Sequence, residues 1–271
     1  MKKIIISMLS VASIAIASTT PYSGNINAQE YDKVIKNACY QKNLVQKIYK
    51  NYIMTKINDK FKNKKNQIET NISMFEDNLN KINKFIKVNN VTNDVILEDL
   101  KKQDILFYSF KQDLKKELTK EESSFLKNNV AELVEVSDNA CVDLITYSKD
   151  KSKLVIAETG ELASIAYKVT CSYILKNESE DINSTKEGMK ESMLEFDDSM
   201  EELVESETTT KEIKDILNET NKIFLYLKVM SNSESKFIPT LIAKNAEKIE
   251  QNMVKATKLY LIELKKLKDR K

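Results

Sequence analysis

The sequence predicts an all-α protein: two tandem antiparallel four-helix modules set end to end and sharing one long central helix. Three observations predict it. Gly and Pro are nearly absent, with 3 and 2 copies in 271 residues, so the turns that hairpins and sheets require have little to be built from. Apolar residues make up 41% and charged residues 31% of the chain, a balance that suits amphipathic helices with one solvated face. The third is that the chain repeats itself at a nearly constant offset, as a duplicated unit does.

The N-terminus reads as an export signal. Met1-Lys2-Lys3 is basic, and Ile4 to Ile16 is an apolar run of the length of a secretory h-region, short for a bilayer span. Residues 1–28 are therefore expected to be a signal peptide, cleaved after Ala17 or after Ala28. The expected location is periplasmic or secreted, with no further membrane span.

Module one, residues 29–148, carries apolar residues at steps of three and four in four segments. The first has Val34, Ala38, Val45, Ile48 and Tyr52, and the second Ile68, Ile72, Phe75, Leu79 and Ile82. The third has Ile96, Leu100, Phe107 and Leu114, and the fourth Val130, Leu133, Ala140 and Leu144. Module two, residues 149–271, repeats the pattern: Val155, Leu162, Ala166 and Val169, then Met189, Met193, Phe196 and Met200, then Ile213, Leu217 and Phe224, then Ile242, Ile249, Ala256 and Tyr260. At an offset of 121, Lys47 falls on Lys168, Tyr52 on Tyr173 and Phe75 on Phe196. Phe107 and Lys111 pair with Phe224 and Lys228 at 117, and Leu133 and Ala140 with Ile249 and Ala256 at 116. No Gly or Pro interrupts Ser148 to Lys153, so the fourth helix is expected to run on into the fifth.

Composition restricts the chemistry. The 43 basic residues nearly balance 41 acidic ones, without the basic excess of a nucleic-acid footprint. There is no His, which removes His-based acid–base catalysis and His-ligated metal. The single Arg is Arg270, at the tail, so any anion clamp in the folded body must use Lys. No phosphate loop, nucleophile elbow or metal-ligand spacing occurs, and the chain is read as a non-enzyme without cofactor or metal.

Ala38, Gln41, Lys42, Leu44, Gln46, Lys47, Ile48, Lys50 and Tyr52, and more weakly Gly160, Ile165, Lys168, Val169 and Tyr173, resemble the opening helix of the NarX-like (PilJ-type) sensor domain. That family reads roughly Ala-Gly-x-Gln-Arg-Met-Leu-Ser-Gln-Arg-Ile-Ala-Lys-x-Tyr-Leu. The resemblance implies a ligand-sensing four-helix bundle outside the cytoplasm, which in relatives sits between two membrane spans ahead of an output domain. The nitrate-sensing members use an Arg of this helix, paired across a dimer. Lys42 and Ala163 occupy that position here, and with no second span or output domain read in these residues, direct transmembrane signalling by this chain alone is not expected.

Candidate ligand-binding residues are therefore Gln41, Lys42, Gln46, Lys47 and Lys168. Gln41 lies on an apolar stripe, where a buried amide needs a partner, and the lysines could hold a small anion as point charges or simply snorkel. Tyr52 and Tyr173 read as core aromatics with a hydroxyl at the bundle edge, and Met189, Met193 and Met200 as adaptable core. Cys39 and Cys141 fall at similar heights on neighbouring helices, so a bridge between them is expected in an oxidising compartment, leaving Cys171 over; three buried thiols are the alternative.

The functional expectation is a soluble binding module, taking a small anion or presenting a signal to a membrane sensor. The alternative is a structural or protein-interaction bundle of the envelope, contacting an envelope protein or a second copy in a homodimer. A secreted toxin-like rod is a weaker reading, since no long apolar stretch remains for insertion.

Overall fold

The computed structural model describes residues 27–57, 64–117, 119–176, 182–232 and 237–269. Within them the protein is all-helical, with no strand. The eight α-helices are α1 (Ala28–Ile57), α2 (Lys64–Val88), α3 (Asp94–Asp113), α4 (Lys120–Tyr147), α5 (Leu154–Leu175), α6 (Ile182–Glu205), α7 (Lys211–Asn232) and α8 (Pro239–Asp269). None is long and apolar enough to cross a membrane. The expected signal peptide lies outside the described residues except for its last two positions, Asn27 and Ala28, at the start of α1.

Local chemistry sets the helix ends. The Asn93 side chain accepts the Ile96 N–H to cap α3, and Thr119 caps α4 through Glu122 N–H; such caps satisfy amide groups that a first turn leaves open. The α2–α3 connection turns on Asn90, at φ 50°, the left-handed region that Asn tolerates better than most residues.

Pairing follows the apolar stripes. α1 packs on α2 and α4, and α3 on α4; in the same way α5 packs on α6 and α8, and α7 on α8. Between α2 and α3, Phe75 and Phe107 stack with centroids 3.7 Å apart, and between α6 and α7 their counterparts Phe196 and Phe224 stack at 3.4 Å. Each stack carries a lysine over its second ring, Lys111 at 5.4 Å and Lys228 at 5.3 Å. Lys111 also pairs with Glu76, and Lys228 with Asp197 at 2.6 Å. Tyr52 and Tyr173 likewise reach matching connections: the Tyr52 hydroxyl donates to Lys116 C=O, and the Tyr173 hydroxyl accepts from Ile238 N–H, both at 2.8 Å.

One expectation fails. α4 does not continue into α5. It ends at Tyr147, Lys149 adopts φ 56°, and a short 3₁₀ turn over Lys151–Lys153 leads into α5. The chain reverses there, and α5 lies against α1 instead of extending α4. Asp32 meets Lys153 at 2.6 Å, Lys42 meets Glu161, and Lys50 sits 5.3 Å from the Tyr167 ring, so the two helices run parallel. They are nearly in repeat register, since Cys39 C=O faces Gly160. The packing is thus side by side through α1 and α5, not end to end. Burial gives the physical reason. α5 is apolar on nearly every side and α1 hides 18 residues, and such helices need neighbours all round.

Candidate functional site

The α1–α5 seam gathers most of the buried polar chemistry. On the side facing α4 and α6, Lys42 is almost fully buried, its ammonium 2.5 Å from Asp138 of α4 and bonded to Glu161 of α5. Burial alone would lower the Lys42 pKa, but the two carboxylates outweigh it and raise it, so the group stays charged. Glu158, beside the same cluster, is pushed up to about 7 by burial and by Glu202, with Lys42 opposing.

On the side facing α8, Glu250 is 4% exposed and takes three donors. Tyr40 and Tyr167 each donate to it at 2.5 Å, and Lys47 at 2.8 Å. Burial, then the Glu250 charge, holds both tyrosine hydroxyls above their usual range. One turn away on α8, Glu247 receives Lys50 at 2.7 Å and Lys64 at 3.3 Å. Burial lowers the Lys50 pKa despite the Glu247 partner. Burial would raise Glu247, yet Lys50 and Lys64 bring it below its usual value.

The sequence candidates therefore separate. Gln41 is buried and donates to Phe75 C=O at 3.1 Å, tying α1 to α2. Lys42 and Lys47 join the two networks on opposite sides of the seam. Gln46 is buried in α1. Lys168 is half-exposed and pairs with Glu195 of α6 at 3.2 Å, away from the seam. Cys39 and Cys141 are joined by a disulfide that ties α1 to α4, while Cys171 is free and buried, its thiol pushed up to about 12 by burial.

Two concavities accompany these networks. Tyr40, Asn43, Gly160, Glu250 and Thr257 line a cleft of about 30 Å³ between α1, α5 and α8. That is room for a water, and the buried Asn43 Oδ1, without a hydrogen-bond partner, fits one. A larger open groove of about 480 Å³ runs between α2 and α3, lined by Glu76, Leu79, Ile105, Phe107, Tyr108 and Lys111. Among the described residues no cluster of three metal-ligating side chains forms.

Sequence reasoning missed Lys50, Tyr40, Tyr167 and Glu250. Glu250 carried a usable signal, since it stands four residues after Ala246 and three before Met253 on an apolar stripe, where an unpaired carboxylate is costly. No protein-family model, curated protein or solved structure matches the chain.

Proposed function

We propose that this is an exported protein of two four-helix modules, residues 29–148 and 149–271, the second a diverged copy of the first. It acts as a protein-interaction module of the cell envelope rather than as a small-anion sensor. The matched Phe75–Phe107 and Phe196–Phe224 stacks, each with its own lysine and carboxylate, support the duplication. A disulfide suits an oxidising compartment, and the leader read from residues 1–28 suits export.

The observation that carries the interaction reading is charge pairing at the seam. Each lysine the sequence put forward as an anion ligand is already matched: Lys42 by Asp138 and Glu161 and Lys47 by Glu250 at the seam, and Lys168 by Glu195 of α6 beyond it. An entering anion would have to displace a carboxylate in partly buried surroundings, where breaking a pair is costly. What the molecule offers outward is helix surface.

Ligand sensing is the second reading. It draws on the place of Lys42, where the sensor family carries its basic residue, and on the unpartnered Asn43 oxygen in the seam cleft. A thermal-shift screen with nitrate, phosphate and acetate separates the two. The interaction reading expects no anion to raise the melting temperature, and Lys42→Ala to lower it without altering any anion response. A rise of several degrees with one anion, lost in Lys42→Ala, would overturn it.

A further inference from the structure

We propose that copies of this chain associate head to tail through two charge rows, the lysine row of α8 in one copy docking on the carboxylate row of α6 in the next. The inference rests on the interaction reading above and names its partner.

Both rows lie on helix faces turned away from the core. On α8, Lys244, Lys248, Lys255, Lys258 and Lys265 are exposed, with Gln251 and Ile262 between them. The steps are four, three, four, three, four and three, so the seven positions fall on one straight face. No carboxylate interrupts it, because Glu247 and Glu250 point toward α1, where they bind Lys50 and Lys47. Other basic residues of α8 are engaged, Lys266 with Glu263 and Lys268 with Asp150. The five row lysines form no ion pair among the described residues. From Lys244 to Lys265 the row spans roughly 32 Å at 1.5 Å per residue.

On α6, Glu187, Glu191, Asp198, Glu201 and Glu205 are exposed, with Leu194 between them. Their steps are again four, three, four, three and four. Glu187, Glu191, Leu194, Asp198 and Glu201 therefore stand at the same spacings as Lys244, Lys248, Gln251, Lys255 and Lys258. Lys186 and Lys190 flank only the N-terminal end of the row. Glu195 and Glu202 widen it, although Glu195 also receives Lys168. Two helices presenting opposite charges at one repeating spacing can lie alongside each other at the shallow crossing angle of paired helices.

The fold dictates which copies can meet. α6 and α8 both flank α5 and both contact α7, without close mutual packing, so they occupy opposite corners of the α5–α8 group. The rows face different ways and cannot neutralise each other within one chain. A two-fold dimer would not engage both, so the contact is heterologous and builds rings or open rows of more than two copies. Exposed ion pairs contribute little individually and are screened by salt, so association is weak and strongest at low ionic strength.

Sedimentation velocity on the disulfide-intact chain tests this. At about 10 mM salt, where charges act over roughly 30 Å, the weight-average mass should rise with protein concentration beyond that of a dimer. In high salt it should return to the monomer. A Glu187→Lys, Glu191→Lys, Glu201→Lys variant alone should stay monomeric, as should a Lys244→Glu, Lys248→Glu, Lys258→Glu variant alone. Mixed in equal amounts they should associate, because each then offers the row the other lacks. A control with the same charge change placed elsewhere, Glu98→Lys, Asp104→Lys and Glu135→Lys, should still self-associate. All substituted residues are exposed, so helicity and melting should match the parent protein. A parent chain that is monomeric at low salt overturns the proposal, as does a mixture that stays monomeric. Binding of the lysine row to phosphatidylglycerol vesicles by a protein that remains monomeric also overturns it, giving that row to a lipid surface. An anion that stabilises the seam would overturn the function proposed above and leave the charge rows untouched.

Discussion

Gly160→Ala probes the α1–α5 seam with one added methyl group. A Cβ at Gly160 would lie 2.8 Å from Cys39 C=O, against 3.4–4 Å for ordinary contact. The obstacle is backbone, anchored by the Cys39–Cys141 disulfide, and cannot rotate aside. α1 and α5 must therefore separate locally by about 0.6 Å (3.4 minus 2.8), and overpacking of this kind costs about 1–3 kcal/mol. Against it stands the helix-propensity gain of Ala over Gly, about 1 kcal/mol. The net expectation is a loss of roughly 0–2 kcal/mol. Gly188 supplies the control, since it also lies inside a helix and nothing stands within 4 Å of its added Cβ. Gly188→Ala should therefore gain roughly 0.5–1 kcal/mol, a rise of about 1–4 °C in a chain of this size. Urea and thermal unfolding of the two variants side by side give the comparison. If Gly160→Ala stabilises as much as Gly188→Ala, the close approach of α1 to α5 is wrong.

Three other outcomes follow from the packing. Phe75→Ala and Phe196→Ala should each cost about 3–5 kcal/mol and agree within about 1 kcal/mol, since both rings are fully buried in matching stacks; denaturant melts showing one large and one negligible loss would contradict the duplication. Reducing the Cys39–Cys141 bond, which closes a separation of 102 residues, should remove about 4–5 kcal/mol in the chain-entropy picture, read as a lower urea midpoint in reductant; an unchanged midpoint would count against the bond. Asp99, hydrogen-bonded to Asp143, and Glu158 are both raised to about 7, chiefly by burial. A carboxyl raised in the folded state destabilises it progressively as pH climbs from the unfolded value of about 4 through the folded value. Melting temperature should therefore rise as pH falls from 8 toward 5, and Asp99→Asn with Glu158→Gln should flatten that slope; an unaltered slope in the double variant would sink the assignment.

Helix content was readable because the cues are local. With Gly and Pro scarce and apolar residues three and four apart, few other structures could form. The seam was not readable because its determinants are tertiary. The reversal after Tyr147 is made by Lys149 in the left-handed region, where a sequence would ordinarily advertise Gly or Asn, so nothing between Ser148 and Lys153 announced a turn. α5 did hold a clue. Ile156, Ala157, Ala163, Ile165 and Ile174 are buried beside the stripe of Val155, Leu162, Ala166 and Val169, and a helix apolar on several sides is packed on several sides. Candidate lysines could be named from their register, but not their partners. Asp138, Glu161 and Glu250 reach Lys42 and Lys47 from sequence separations of 96, 119 and 203, beyond any local rule.

The central claim is that α1 and α5 run parallel, side by side, from the same end of the molecule. A distance between spin labels at Lys56→Cys and Lys168→Cys tests it most directly, with the native disulfide intact and Cys171 buried. Lys50 and the Tyr167 ring, on the same two helices, lie 5.3 Å apart, so pulsed electron–electron measurements should return a narrow distribution at short distance. Were α5 to continue α4 away from the start of α1, the labels would stand apart by most of α1 plus the first half of α5, roughly 60 Å at 1.5 Å per residue. A distribution centred near that value would place the two modules end to end and contradict the account.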